Sequence, residues 1–176
     1  MAELEALIDR ISLNDREAFA QLYNVTHRRV YFYILGLVKD ETVAQDILAD
    51  TFVEVWKGAS RFEGRSKALT WIIGIARNLA LKFFKKRKRF ENIDDHHELR
   101  NGNPEEFADR FAKIEDLKAG LEKLSWKHRE ILQLAFFEGF TYEEISKMLS
   151  IPVNTVKTRV FHARKALRQL LDNGRD

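Results

Sequence analysis

Cysteine is absent from this chain, which excludes disulfide staples and any zinc site built on thiolates. Proline and glycine are scarce, at 2 and 8 of 176 residues. The punctuation that regular β-hairpins need is therefore missing, and no glycine-rich phosphate loop can be found. Long apolar runs are missing too. The most apolar stretch, Ala68 to Ala76, is about half the length needed to cross a bilayer. The opening Met-Ala-Glu-Leu-Glu is acidic and has no apolar core, so neither a signal peptide nor membrane insertion is expected. A reducing, cytoplasmic setting is the expectation.

What remains is rich in helix formers, 45% hydrophobic and 32% charged. Such a chain can bury a core and is not globally disordered. The fold class expected is all-α. The net charge of +3 is uninformative, but its distribution is not. Lys82 to Arg89 holds six basic residues in eight, and Glu91 to Asp116 holds nine acidic residues against three basic. Ile145 to Leu171 carries six Lys or Arg and no acid. Two basic segments flanking an acidic one suit two nucleic-acid surfaces and a linker.

Helical periodicity divides the chain. Asn14, followed three residues later by Glu17, reads as a helix N-cap, and Phe19, Leu22, Tyr23, Val30, Ile34 and Leu37 follow at helical spacing. Asp40 caps a second helix ending near Gly58, with Ala44, Ile47, Leu48, Phe52 and Val55 inward. After a short loop, Arg61 to Ser66, a third helix turns Leu69, Ile72, Ile73, Ala76, Leu79, Ala80 and Phe83 inward. These three helices are expected to form one bundle, residues 1–89. Residues 90–112 have the composition of a flexible acidic linker. A second domain, 113–176, begins near Ile114 with Leu117, Leu121, Leu124, Ile131, Leu132 and Ala135 apolar, and Gly139 to stop the helix.

The strongest motif is a helix-turn-helix at Tyr142–Phe161. Thr141 and Glu144 form a capping box, and Ile145 and Leu149 are apolar on the first helix. Ser146 is small where the helices cross, and Ser150-Ile-Pro152 makes the turn. Glycine is usual at Ser150, where the turn needs positive φ. Val153, Val156 and Val160 face inward on the second helix, leaving Asn154, Thr155, Lys157, Thr158, Phe161 and His162 outward or on the flanks. Such a helix fits the DNA major groove, with Arg159, Arg164, Lys165 and Arg168 within reach of phosphates. The bland alternative, an αα-hairpin with a solvated basic face, poorly explains 27 residues without an acid.

In the first domain, Asp46-Ile-Leu-Ala-Asp-Thr-Phe-Val-Glu-Val-Trp56, Phe62-Glu-Gly-Arg-Ser66 and Thr70-Trp-Ile-Ile-Gly-Ile-Ala-Arg-Asn78 precede that motif. In this order and spacing, the blocks resemble the extracytoplasmic-function (ECF) sigma factors of RNA polymerase, within the sigma-70 superfamily. The resemblance covers Asp15 to Leu171. It implies a transcription initiation factor, not an enzyme, that binds core RNA polymerase and recognises promoter DNA at its −10 and −35 elements. It also implies an anti-sigma factor, often membrane-anchored, as a further partner.

The residues carry specific expectations. Asp46, Asp50 and Glu54 form one acidic stripe, a like-charge spacing that disfavours an isolated helix and is explained by a basic partner. The resemblance identifies that partner as the coiled coil of the largest polymerase subunit. Gln45 and Ala49 depart from the family, where an acid and a glutamine are common. On the third helix Thr70, Gly74, Arg77, Asn78, Lys82 and Lys85 are expected away from the apolar face, with Trp71 at its edge. Amides, an aromatic and cations suit single strands. By resemblance, this helix and the loop of Phe62, Gly64, Arg65 and Ser66 capture a flipped −10 base. Core packing is the competing role for Trp71, and an intramolecular ion pair for Arg77. Asp94-Asp-His-His-Glu98 is not expected to bind metal, because adjacent residues in a linker rarely converge on one ion. No cofactor and no catalytic residue are expected. A stand-alone helix-turn-helix regulator and an enzyme acting on nucleic acid are the rival readings.

Overall fold

The computed structural model describes residues 2–91 and 112–173, which fall in two compact units, 1–99 and 100–176. The Asp94–Glu98 cluster and nearly all of the expected linker lie outside the described residues.

In unit 1 the described elements are α1 (Ala2–Ser12), α2 (Arg16–Val38), α3 (Glu41–Gly58), a single 3₁₀ turn (Ala59–Arg61) and α4 (Ala68–Glu91). The expected three-helix bundle therefore gains a fourth helix. α1 follows from a stripe at Leu4, Leu7, Ile8 and Ile11, of which Ile8 and Ile11 are buried. It packs on α2, α4 and the 3₁₀ turn.

The expected cap at Asn14 is also corrected. Asn14 sits at φ 65 and ends α1, a left-handed position that Asn tolerates better than most residues. Asp15 is the cap, its carboxylate accepting from the backbone N–H groups of Glu17 and Ala18, both at 3.0 Å. The Ala18 N–H first, and then the Arg10 guanidinium at 2.7 Å, hold the Asp15 carboxyl below its ordinary pKa. Asp40 caps α3 as expected, accepting from Val43 N–H at 3.0 Å.

The core of unit 1 joins Leu22, Val30, Tyr33 and Ile34 of α2 to Ala44, Phe52 and Val55 of α3 and Ile72, Ile73, Ala76 and Ala80 of α4. Each large side chain so buried contributes about 1.5–3 kcal/mol. Leu79 and Phe83, expected inward, are half-buried. Two buried threonines satisfy themselves locally: Thr26 donates to Leu22 O at 2.7 Å and Thr51 to Ile47 O at 2.6 Å.

In unit 2 the described elements are α5 (Ala112–Lys123), α6 (Trp126–Leu132), a π-helical turn (Gln133–Phe137), α7 (Tyr142–Leu149) and α8 (Val153–Asn173). The apolar series from Ile114 to Ala135 is thus broken at Ser125, whose hydroxyl accepts from His128 N–H at 3.3 Å and starts α6. Arg129 closes the end of α5, its guanidinium donating to the carbonyls of Leu121 and Glu122 at 3.4 Å each. Burial pulls the Arg129 pKa down from its ordinary value, opposed by Glu122. The π turn is marked by Glu138 N–H donating to Gln133 O at 2.9 Å. Gly139 follows at φ +67, where the chain reverses.

The helix-turn-helix is built as its sequence indicates. Thr141 and Glu144 make the reciprocal capping box, at 3.2 and 2.8 Å. Ser150 takes the left-handed conformation, at φ 53 and ψ 45. Ser146 Oγ donates to Ile151 O at 2.6 Å and ties the turn to α7. Val156 and Val160 are buried against the unit, whereas Val153, at the first position of α8, is only half-buried. Among the described residues no helix is long and apolar enough to cross a membrane.

Candidate nucleic-acid interface

Burying Val156, Val160 and Ala163 fixes the rotation of α8 and turns the opposite face to solvent. Asn154, Lys157, Thr158, Phe161, His162 and Lys165 are exposed there, and Thr155 and Arg159 are half-buried. A shallow groove of about 710 Å³ runs along this face, lined by Asn154, Thr155, Thr158, Arg159, His162 and Lys165. His128 of α6 lines it as well, a residue the sequence did not single out because it lies outside the helix-turn-helix. Thr158 Oγ1 donates back to Asn154 O at 2.9 Å, which leaves its oxygen as an acceptor. Phe161 stays 64% exposed, edge-on to the His162 ring at 5.5 Å. Lys157 and Phe161 are outside the groove lining. The face offers donors, acceptors, cations and an apolar ring, the combination needed to read base edges and phosphates.

In unit 1 the loop between the 3₁₀ turn and α4 exposes Glu63, Gly64 and Arg65, with Phe62 and Ser66 half-buried. Gly64 is in a left-handed turn, and Arg65 pairs with Glu63. The Phe62 ring lies 5.0 Å from Trp71 at 45°. Trp71 is half-buried and also lies against Gly58, where a Cβ would come within 3.3 Å of Trp71 Cζ2. Gly58 therefore does more than end α3, since it makes room for the indole. Trp71 thus packs against the bundle at Gly58 and borders the loop at Phe62.

On α4, Asn78, Lys82 and Lys85 are exposed and Gly74 half-buried. Thr70 is a correction. It is only 6% exposed, because its position in the first turn of α4 turns inward beside Leu69, and its Oγ1 has no hydrogen-bond partner among the described residues. Arg77 is half-buried and already engaged within the protein.

Along α3, Asp46 and Asp50 are exposed and Glu54 is half-exposed, with Lys57 at 3.7 Å from its carboxylate. An exposed pair of that kind is worth under about 1 kcal/mol, so Lys57 does not offset the stripe. Val53 stands 47% exposed on the same helix. Among the described residues no group of His, Asp or Glu could hold a metal ion.

The geometry presents two helical units, each with a face suited to nucleic acid, and a helix with an acidic stripe on which Asp46 and Asp50 are exposed. Comparison with known proteins places both units in one family. Residues 22–90 match the model for sigma-70 region 2, and residues 114–167 match that for sigma-70 region 4. The ECF RNA polymerase sigma factor SigK of Mycolicibacterium vanbaalenii is 30% identical, over 97% of this chain and 90% of the relative. SigX of Bacillus subtilis, also an ECF RNA polymerase sigma factor, is 28% identical over 89% of this chain and 84% of its own. Among solved structures, the sigma factor RpoE of Bartonella quintana, crystallised in complex with the anti-sigma factor NepR, is similar with a TM-score of 0.76 and 26% identity. That match covers 88% of this chain and 96% of RpoE. Two region models in order and a relative matched along almost its whole length leave one conclusion: the chain belongs to the ECF sigma factors, the promoter-recognising initiation factors of bacterial RNA polymerase.

Proposed function

We propose that the two units divide the work of a sigma factor between residues 1–89 and 113–176. The first binds core polymerase through Asp46, Asp50 and Glu54. It captures the −10 element with the loop of Phe62, Gly64, Arg65 and Ser66 together with Trp71, Arg77, Asn78, Lys82 and Lys85 of α4. The second reads the −35 element with Asn154, Thr155, Lys157, Thr158, Arg159, Phe161, His162 and Lys165. Thr70, being buried, supports that surface from beneath. The observation that carries this reading is the rotation of α8, whose Val156 and Val160 are buried while the polar face from Asn154 to Lys165, which holds no acid, is open. The protein works in the cytoplasm. Its activity is restrained by an anti-sigma factor, a partner supported by the complex in which the Bartonella relative was crystallised.

The test is run-off transcription with purified core polymerase on a randomised promoter library. Replacing Lys157 or Thr158 by Ala should relax preference at particular −35 positions, each good base contact discriminating by about 1–3 kcal/mol. Reversing Asp46, Asp50 and Glu54 to Lys should abolish co-elution with core polymerase with little change in helical content. Wild-type −35 preference in the first variants overturns the reading face, and normal co-elution of the second overturns the core interface.

A further inference from the structure

The start of α4 lacks the cap that its position calls for. Trp71 N–H donates to Lys67 O at 3.1 Å, which puts Lys67 at the N-cap. That is the place where Ser, Thr, Asp or Asn would accept from the first free N–H groups of the helix. An ammonium cannot accept. The acceptor comes instead from 63 residues upstream: Glu5 Oε1 of α1 takes the Ala68 N–H at 2.8 Å. A carboxylate at this end also meets the positive pole of the helix dipole. Its second oxygen, Oε2, is buried with no hydrogen-bond partner among the described residues, and so is Thr70 Oγ1 two positions into the same helix. A half-buried carboxylate with one oxygen buried and unpartnered is unfavourable by itself, so its place here needs a reason. The cap on α4 supplies one.

That cap lies at a sensitive point. The loop of Phe62 to Ser66 runs directly into Lys67 and Ala68, and Trp71, whose ring lies tilted against Phe62, is in the first turn that the cap holds. We infer that Glu5 is a positioning residue for promoter opening: from α1 it fixes the first turn of α4, and with it the loop and indole that receive the −10 base. The inference rests on the −10 reading proposed above. α1 thereby becomes part of the strand-opening apparatus.

The experiment uses holoenzyme assembled from core polymerase and the full chain carrying Glu5→Ala or Glu5→Gln, with Asn78→Ala as a control on the DNA-facing surface. Co-elution, closed-complex footprints and the rate at which promoter thymines become permanganate-reactive are measured for each. Loss of a cap should slow opening by about threefold to tenfold in Glu5→Ala. Assembly and the closed complex should be retained. Glu5→Gln keeps an acceptor oxygen and should open within about twofold of wild type. Wild-type opening in Glu5→Ala, while Asn78→Ala is blocked, overturns the role of Glu5 and leaves the −10 reading standing. Normal opening in both variants overturns the −10 reading itself. A parallel loss of assembly, closed complex and opening in Glu5→Ala, or a Gln variant as impaired as the Ala variant, makes Glu5 merely structural and overturns the inference.

Discussion

The two units begin their key helices in opposite ways. In unit 2, α7 is capped by residues three apart, Thr141 and Glu144, each satisfying the other's backbone. In unit 1, α4 is capped by a side chain on another helix, Glu5. The first device is local and survives whatever the rest of the chain does. The second exists only once α1 has docked through Ile8 and Ile11. The difference shows where each unit is vulnerable: unit 2 at its turn, unit 1 at a tertiary contact between residues far apart in sequence.

The contrast can be broken from either side. The largest effect is expected for Ile8→Ala, which removes a fully buried side chain from the α1 seam and should destabilise unit 1 by about 2–5 kcal/mol. Calorimetry of the full chain should show one transition falling and the transition of unit 2 unmoved. If both fall together, the units do not melt independently and the contrast fails. Thr141→Ala should lower only the unit 2 transition, by about 1 kcal/mol, because it opens the capping box but leaves the core intact. The smallest effect has the opposite sign. Ser150→Gly should stabilise unit 2 by about 0.5–1 kcal/mol, since a left-handed residue without Cβ is unstrained. A loss of stability there would mean that the serine makes a compensating contact.

These differences also explain what could be read from the sequence. The helix-turn-helix was legible in detail because its signals are local: a capping box, a turn residue at positive φ and valines at helical spacing. The acidic stripe was legible for the same reason. α1 was missed although Leu4, Leu7, Ile8 and Ile11 carry a helical pattern, because the cap residue at Asn14 drew the boundary, while Asn14 itself takes the left-handed turn. Thr70 was misplaced because hydroxyl side chains suit both surfaces and buried helix starts, and periodicity alone does not choose. The break at Ser125 and the π turn after Leu132 interrupt an apolar series that reads as continuous. His128 enters the groove of α8 only through tertiary packing, so no linear signal marked it.

The long reach of Glu5 also has a consequence in time. During synthesis α1 leaves the ribosome before α4, and the partner N–H of Glu5, on Ala68, is made 63 residues later. At about 5–20 residues per second, that is a delay of roughly 3–13 s. For that interval α1 can pack on α2 but not on α4, and the contact that Glu5 awaits is of high sequence separation, the kind that closes slowly. The helix-turn-helix, by contrast, can form its box almost as soon as its residues emerge. The nascent chain therefore carries an amphipathic α1 that is only partly seated, and chaperone occupancy early in translation should track α1 rather than α7 and α8.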